Sequence, residues 1–213
     1  MKKFTDKSVK MMLRHNAREI MKPSNKDIDP ARTPLNFKLS PERKIIKNGK
    51  FQQQSDFEHY KQRLSKMHVF NRSDVKTVAG WIVTAPKDLK ADKHKVFFQE
   101  VYNFLEARYG KENVIQAMVH NDETTPHLHF LFIPVAPNPK LTGGKSEKVC
   151  ANEVLTRQEL RAFHPALQAH LNHAGIQARI INGATSAGNR TVAEMKKDRE
   201  RTQQHERGIF LER

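Results

Sequence analysis

The sequence predicts an α+β domain in which helices pack against a central antiparallel β-sheet. Two apolar runs of strand length, Val114–Val119 and Leu128–Ile133, flank a short polar turn. Residues 89–109 carry apolar side chains at helical spacing, and Thr156 opens a second amphipathic segment. The resulting order βαββα favours helices packed on an antiparallel sheet. Because the run at Leu128–Ile133 is apolar on both faces, we expect it in the middle of that sheet.

The N-terminal half is predicted to begin with a short helix and a long loop. Residues 5–20 are basic and intermittently apolar, which favours a helix that ends near His15. From Pro23 to Pro41 the chain is rich in proline and polar residues, which predicts a loop running into a short strand. The predicted elements that follow are that strand at Leu35–Leu39, a polar helix over 55–68 and a strand over Gly80–Thr84.

The C-terminal half is predicted to be mainly helical. Gly110 ends the amphipathic helix over 89–109, whose aromatic residues we assign to the core. Thr156 and Glu159 form a capping box at the start of the next helix, and Pro165 should kink that helix or break it. The remaining segments are a loop over 134–150, an edge strand over Gln177–Ile181 and a charged helix or frayed tail over 191–207.

Three histidines and two acidic residues lie within ten positions of the predicted hairpin. Residues two apart in a strand point to the same face, so His127 and His129 can bind one ion together. His120 reaches that ion from the preceding strand, across the turn. Three neutral imidazoles leave open coordination positions, which is typical of a catalytic ion. The adjacent acidic pair, Asp122 and Glu123, can hold the ligand rings by hydrogen bonds or take part in the chemistry.

The composition is strongly basic, with 38 Lys+Arg against 23 Asp+Glu. The excess is concentrated in residues 1–50, which hold 14 Lys or Arg and 5 Asp or Glu. A basic surface attracts polyanions, and together with a catalytic ion it indicates phosphodiester chemistry on nucleic acid. No apolar run approaches the roughly 20 residues that span a bilayer, and the basic N-terminus lacks the apolar stretch expected of a signal peptide. With Cys150 as the single cysteine, we expect no intramolecular disulfide and a cytoplasmic location.

Three motifs follow one another along the chain. They are Arg14-His15-Asn16-Ala17-Arg18, then Ser24–Arg32 with Leu35-Asn36 after it, then the segment His120–His129. In this order and spacing the chain resembles the plasmid mobilisation relaxases of the MOBV (Mob/Pre) family, within the HUH endonuclease class. The resemblance runs from about residue 13 to about residue 195 and includes Thr191–Lys196. It implies a relaxase catalytic domain over 1–195 and a charged C-terminal helix or tail over 196–213.

The resemblance implies an HUH-relaxase-like fold that nicks one DNA strand at a transfer origin and stays covalently attached to it. His120, His127 and His129 correspond to the family's ligands of a divalent ion. Manganese is the preferred metal in this interpretation, with Mg²⁺ or another divalent ion as the alternative.

The resemblance also assigns roles around the ion. His15 corresponds to the nucleophile, and Glu123 to the acid that orients it. Asp122 would belong to the shell around the ligands, and Arg18 would contact phosphate. Many relatives have a tyrosine where this chain has Phe37, so a tyrosine nucleophile is impossible at that position.

The expected partner is origin-of-transfer DNA, both as a single strand and as adjacent duplex. A basic groove would order the strand. Relatives extend into a C-terminal region used for dimerisation or membrane contact, so a homodimer would form through a region that this chain does not include, and no integral membrane segment is expected. The residues predicted to bind the DNA are Asn16, Arg18, Lys22, Lys26, Arg32, Arg72 and Lys76.

Three other functions remain open from the sequence. A replication initiator of the HUH class would use the same metal motif but normally needs a tyrosine near the ion. Tyr102 and Tyr109 lie on the predicted helix over 89–109, where they are poorly placed for that role. A zinc hydrolase would have a hydrophobic substrate pocket and no need for the charge excess. A nucleic-acid-binding module with a structural ion would normally have a fourth protein ligand.

Overall fold

A computed structural model describes residues 1–20, 25–181 and 201 of the chain. Met1–Ile180 form one compact unit, and Ile181–Arg213 form a second. The strands are β1 (Lys2–Thr5), β2 (Phe37–Lys38), β3 (Arg43–Lys47), β4 (Lys50–Gln54), β5 (Lys76–Thr84), β6 (Val114–His120), β7 (His127–Phe132), β8 (Val135–Pro137) and β9 (Glu147–Val149). The helices are α1 (Asp6–Asn16), α2 (Asp56–Ser65), α3 (His94–Tyr109), α4 (Ala151–Val154) and α5 (Arg157–His173).

The predicted α+β class with a central antiparallel sheet is confirmed. Five strands form this sheet in the order β1-β5-β7-β6-β2, and every neighbouring pair is antiparallel. Strand β7 lies in the middle, as its continuous apolar run predicts, because a strand buried on both faces has no polar side to expose.

Each face of the sheet has its own set of helices. Phe130 and Phe132 of β7 pack with residues of α3 and α5, and we call this side the α3 face. Leu131, which points the opposite way, packs with residues of α1 and α2 on the α1 face. The odd-numbered positions of β7, including His127 and His129, therefore belong to the α1 face.

Helix α1 ends where the sequence predicts, next to His15. Its buried residues Val9 and Leu13 hold it against the sheet, four positions apart on one face of the helix. After Asn16 the chain leaves the helix, and Arg18 takes a left-handed conformation with φ 57°. The last turn of α1 is thereby fixed on the α1 face.

Helix α5 continues through Pro165, so the predicted break does not occur. A proline inside a helix costs about 3 kcal/mol. Burial of Phe163, Leu167 and Leu171 along one face of α5 offsets that cost, since a fully buried side chain of this kind contributes about 1.5–3 kcal/mol. Thr156 caps the helix as predicted, accepting a hydrogen bond from the Glu159 backbone at 3.1 Å.

Three further predictions are corrected. The edge strand at Gln177–Ile181 is wrong: the Gln168 amide, rather than a neighbouring strand, bonds Ala178 O and Ile180 N at 2.9 and 2.8 Å. The loop over 134–150 contains the short hairpin β8–β9. The helix expected from residue 89 begins at His94.

The predicted tail over 191–207 lies outside the described residues except at Arg201, so its form and the domain boundary at 195 stay predictions. Among the described parts of the chain, no helix is both long enough and apolar enough to cross a membrane.

The β3–β4 hairpin is an element that the sequence analysis did not predict. It forms a separate two-stranded sheet with the register Ile46↔Phe51 and Lys47↔Lys50. Its strands lack the regular alternation of apolar and polar residues that indicates a strand packed on a core.

Candidate metal centre and active site

The β6–β7 pairing brings the three histidines together. His120 lies directly opposite His127, and His129 lies opposite Met118, so all three side chains are on the α1 face. Each ring offers a nitrogen within 4.8 Å of the others, and His127 Nε2 is 3.0 Å from His129 Nε2. Two nitrogens bound at about 2.1 Å to one ion and at right angles to each other would also lie about 3.0 Å apart.

Two backbone carbonyls decide which ring nitrogens can bind an ion. His120 Nε2 donates to Asn16 O at 2.7 Å, which leaves the lone pair on Nδ1. That Nδ1 is buried and has no hydrogen-bond partner. His127 Nδ1 donates to Thr125 O at 2.8 Å, which leaves the lone pair on Nε2. An unpartnered buried acceptor is costly, and a bound cation would satisfy it, so the residues fit a divalent ion.

The electrostatics also favour neutral imidazoles. Burial lowers the pKa of His120 to about 4, with the Arg18 guanidinium acting in the same direction. Burial and the neighbouring rings of His120 and His127 lower the pKa of His129 to about 2. Both rings are therefore neutral at physiological pH, which is the form that binds metals.

An arginine links the acidic pair to the end of α1. Arg18 makes two parallel hydrogen bonds with Asp122, Nε–Oδ2 at 2.8 Å and Nη2–Oδ1 at 2.7 Å, and Nη2 also reaches Glu123 Oε1 at 2.7 Å. Burial alone would raise the pKa of Asp122, but the hydrogen bonds from Arg18, Asn36 and Thr33 outweigh it and hold the pKa well below its usual range. The backbone N–H of Arg18 donates to His15 O at 3.1 Å.

Asp122 and Glu123, the acidic pair of the turn, contact different parts of the site. Among the described residues, Asp122 makes no hydrogen bond with the rings of the three histidines. It supports the turn that carries them through Arg18 and through the loop before β2. Glu123 Oε1 lies 4.0 Å from both His120 Nδ1 and His127 Nε2. Its hydrogen bonds go to Arg18 and to Asn25. Glu123 therefore borders the space between the rings.

The loop before β2 supplies contacts that the sequence analysis did not assign. Thr33 Oγ1 and Asn36 Nδ2 donate to Asp122 Oδ2 at 3.1 and 2.7 Å, and Asn36 Oδ1 accepts from Asn121 N at 2.7 Å. The polar composition of this loop and the Leu35-Asn36 motif were the signals available for it. The loop thus holds the histidine turn through Asn121 and Asp122.

His15 lies at the end of α1 and is partly exposed. Burial and the positive charge of Arg18 lower its pKa, so the ring is neutral at neutral pH. Asn16 is fully buried, its side-chain amide makes no hydrogen bond, and its carbonyl holds His120.

The residues predicted to contact DNA are only partly gathered at this site. Arg18 is 8% exposed and occupied by the acidic pair, and Arg32 Nη1 donates to Glu123 O at 3.2 Å. Lys26 is exposed on the same loop, and Lys22 lies outside the described residues.

Arg72 and Lys76 lie elsewhere. Lys76 begins β5, whereas Thr84 at the other end of that strand pairs with His127. Eight residue steps at about 3.3 Å place Lys76 on the order of 25 Å from the histidines. Arg72 precedes the same end of β5.

The three tyrosines lie away from the three histidines. Tyr60, Tyr102 and Tyr109 are at most 8% exposed, and burial raises the pKa of each phenol. Tyr102 and Tyr109 lie on the α3 face, on the side of the sheet away from the histidines. Tyr60 lies on the α1 face, but its hydroxyl bonds Thr77 Oγ1 at 2.7 Å, near the distant end of β5.

Comparison with known proteins gives consistent matches over most of the chain. The family model described as plasmid recombination enzyme (Mob_Pre) matches residues 1–197. Plasmid recombination enzymes of Streptococcus agalactiae and Lactiplantibacillus plantarum are 28% and 31% identical to the chain over 191 and 192 residues. These alignments cover 86% and 87% of this chain but 35% and 49% of the relatives. The chain thus spans about a third to a half of their length.

Solved structures match the fold as well. The MobM relaxase domain bound to plasmid pMV158 oriT DNA, in a Mn-bound crystal structure at pH 6.8, has a TM-score of 0.71 and 26% identity. The match covers 93% of this chain and 96% of that domain. A second crystal structure of that domain, Mn-bound at pH 4.6, gives a TM-score of 0.69 and 27% identity, with coverage of 92% and 96%.

Proposed function

The chain belongs to the plasmid recombination enzyme (Mob/Pre) family, and we propose that it is a DNA relaxase that nicks one strand at a plasmid or mobile-element transfer origin. The observation that carries this proposal is the end of α1, where Asn16 O holds His120 of the three-histidine cluster and the residue next to Asn16 is His15. The matched MobM domains, which are bound to oriT DNA, support the same substrate class for this chain.

His120 Nδ1, His127 Nε2 and His129 Nε2 would hold a divalent metal ion. We propose Mn²⁺, since the matched domains are Mn-bound, and Mg²⁺ or another divalent ion as the alternative. When bound, such an ion polarises a phosphate oxygen and stabilises the charge that develops on the phosphate. Asn16 O and Thr125 O orient the rings of His120 and His127 by accepting hydrogen bonds from their N–H groups.

The proposed reaction is a transesterification with His15 as the nucleophile. A lone pair of the neutral imidazole attacks the scissile phosphorus, a P–N bond forms, and the bond from phosphorus to the 3′ oxygen breaks. The 3′ oxygen takes up one proton and leaves as a hydroxyl, and the ring gives up its remaining N–H proton. The product is a phosphoramidate that a 3′ hydroxyl can later attack to rejoin the strand.

Glu123 and Arg18 would position His15 and the phosphate. Glu123 is proposed to orient the nucleophile, and its carboxylate is itself held by Arg18, whose N–H binds the His15 carbonyl. Arg18 Nη1 makes no hydrogen bond within the protein, so it is the group of that side chain that would donate to phosphate. Asp122 keeps the arrangement in register through its two bonds to Arg18.

Strand binding is assigned to the basic residues predicted from the sequence. Lys26 and Arg32 lie on the loop beside the acidic pair and would contact the strand near the nick. Asn16 is fully buried, so it would act on the strand through His120, which its carbonyl holds. Lys22, outside the described residues, stays a proposed contact. Arg72 and Lys76 would contact DNA farther away. A cytoplasmic location and a homodimer remain predictions.

A tyrosine-dependent replication initiator is the alternative within the HUH class. The buried, hydrogen-bonded hydroxyls of Tyr60, Tyr102 and Tyr109 argue against it, because a nucleophile must come within about 3–3.5 Å of the phosphorus. Phe37 pairs with Val119 in the sheet and offers no hydroxyl.

The test is incubation of the protein with supercoiled plasmid that carries its neighbouring origin. With Mn²⁺ we expect conversion to the relaxed form and, after denaturation, DNA that carries covalently attached protein. With chelator we expect neither. Relaxation without a covalent adduct would contradict transesterification by the protein, and no relaxation in any metal would contradict the proposed function.

A further inference from the structure

A cavity of about 860 Å³ lies on the α1 face of the sheet, next to the three histidines. Met118 and Gln116 line it from β6, and they share a face with His120 because side chains alternate along a strand. Two and four residue steps of about 3.3 Å place Met118 and Gln116 roughly 7 and 13 Å from His120. The proposed reaction does not use this cavity.

Two polar side chains of the cavity lining are held in fixed positions. Gln116 is 2% exposed, and its Nε2 donates to Leu13 O at 3.2 Å and to Asp56 Oδ2 at 2.9 Å. Among the described residues, Gln116 Oε1 is buried and has no hydrogen-bond partner. Asp56 Oδ1 accepts from Lys38 Nζ at 2.7 Å. An unpartnered buried acceptor is costly, and a ligand that donates to Gln116 Oε1 would remove that cost.

The rest of the lining suits a nucleotide. Apolar side chains can cover the faces of a base, and exposed basic side chains can hold its phosphate. The carboxylate of Asp56 would repel a phosphate, so the base must be the part that enters. The volume is within the range of about 300–1,000 Å³ that is usual for small-molecule sites. The apolar residues are Leu13, Phe57 and Met118, and the basic ones are Lys10, Arg14 and Lys38.

We propose that this cavity binds one unpaired guanine of the DNA strand, close to the scissile phosphate. The inference rests on the proposed function and adds a residue that selects the sequence, Gln116. At about 3.4 Å per nucleotide in a stacked strand, a distance of 7–13 Å corresponds to about two to four nucleotides. The strand that places its phosphate at the histidines can therefore place a nearby base in the cavity.

The two acceptors in the cavity favour guanine over the other bases. The Watson–Crick edge of guanine has two adjacent donors, the ring N1–H and the N2 amino group, which match Gln116 Oε1 and the Asp56 carboxylate. Adenine and cytosine have an amino donor beside an acceptor nitrogen, and thymine has one N–H between two carbonyls. Each would set an acceptor against an acceptor. Pairing occupies this edge in a duplex, so the guanine must be unpaired.

The test uses fluorescent thymine strands of about 12 nucleotides with one central guanine, adenine, cytosine or thymine, titrated with the full chain in EDTA. The guanine strand should bind about fivefold to tenfold more tightly than the all-thymine strand. Inosine lacks the N2 amino group and should lose most of this gain. 7-Deazaguanine keeps both donors and should retain it. These changes in the ligand need no protein variant, so protein folding does not affect them.

The protein variant is Gln116→Met, which removes the acceptor at similar side-chain length. It should bind the four strands with affinities equal within about twofold. The matched control is Gln168→Met on α5, whose amide bonds Ala178 O and Ile180 N. That control should keep the preference for guanine.

Equal affinity of the wild type for the four central bases, or a preference for another base, would overturn the inference. So would a guanine preference that survives inosine or Gln116→Met, or one that Gln168→Met removes as well. Because EDTA excludes nicking, the two proposals fail separately. A chain that nicks plasmid without any base preference would leave the proposed function standing. A chain that prefers guanine but never nicks plasmid would contradict the proposed function and leave this inference standing.

Discussion

At the scale of single residues, hydrogen bonds to two carbonyls determine what the histidines can bind. Asn16 O fixes His120 with its Nδ1 lone pair free, and Thr125 O does the same for Nε2 of His127. Because Asn16 ends α1 and is the neighbour of His15, the proposed metal ligand His120 and the proposed nucleophile share one support. A change at the end of α1 should therefore affect both.

The nucleophile is tested at this scale. His15→Ala should abolish both nicking and the covalent adduct, since His15 is the side chain proposed to attack the phosphorus. Tyr60→Phe, Tyr102→Phe and Tyr109→Phe should each leave the adduct intact. Gel analysis of the adduct and mass spectrometry of its peptide provide the measurement.

The stability of the adduct adds a chemical criterion. A phosphoramidate survives alkali better than acid, whereas a phosphotyrosine survives acid. An acid-stable adduct on a tyrosine peptide would refute the assignment of His15 and return the chain to the tyrosine enzymes of this class.

The Arg18–Asp122 pair gives a second residue-level prediction. The Asp122 side chain is fully buried and that of Arg18 is 8% exposed, so Asp122→Asn leaves a buried guanidinium with Glu123 as its remaining carboxylate. We expect the free energy of unfolding to fall by about 3–5 kcal/mol. Denaturant unfolding followed by circular dichroism measures it.

The matched control is Asp74→Asn, which removes one partner of the Arg72–Asp74 pair, whose side chains are 69% and 72% exposed. That change should cost less than about 1 kcal/mol. Similar losses in the two variants would show that the Arg18 pair does not support the fold as argued.

At the scale of elements, the β6–β7 hairpin is the unit that would bind the metal. The register that pairs His120 with His127 sets the distance between rings on adjacent strands, and the two-residue repeat of β7 adds His129. A shift of one residue in that register would move ligands to the α3 face. The apolar residues on both sides of β7 therefore protect the geometry of the site.

Metal removal tests this unit. Chelation, or His127→Ala or His129→Ala, should abolish nicking while most of the DNA affinity remains, because Lys and Arg side chains supply the binding. In the wild type, Mn²⁺ at 100 times its Kd should raise stability by about 2.7 kcal/mol, and in either variant it should raise it much less. Thermal unfolding with and without Mn²⁺ measures this gain in stability independently of activity. Nicking at the wild-type rate by either variant, with trace metals removed, would mean that the three-histidine site is misassigned.

The elements also show which sequence patterns were informative. Periodicity located α1, α3 and β7, since each buries a regular apolar face. The β3–β4 hairpin was missed because its side chains bind solvent or other polar groups instead of a core, and Gln177–Ile181 was wrongly assigned because Gln168 satisfies its backbone. Neither arrangement leaves a periodic signal.

At the scale of the whole molecule, the net charge of +15 should make the proposed DNA binding depend strongly on salt. If six or more phosphates are contacted, affinity for origin DNA should fall by about 10³-fold or more between 50 and 200 mM salt, because each contact releases condensed counterions. Fluorescence anisotropy across that salt range provides the measurement. A flat response would favour a hydrolase of small substrates over a DNA enzyme.

The sequence by itself determined the fold class, the histidine hairpin and the family, because these depend on local patterns. Alternating side chains in a strand place His127 and His129 on one face whatever surrounds them. The motif around His15 and the charge excess are likewise readable from composition and order.

Only the tertiary structure decided what lies next to the hairpin. Packing of α1 on the same face brings Asn16 O to His120 and Arg18 to Asp122, contacts between residues 104 positions apart. Folding also separates Lys76 from the histidines and buries the three tyrosine hydroxyls. Such contacts depend on which helix covers which face, and burial of the apolar residues of α1 and the sheet determines that choice.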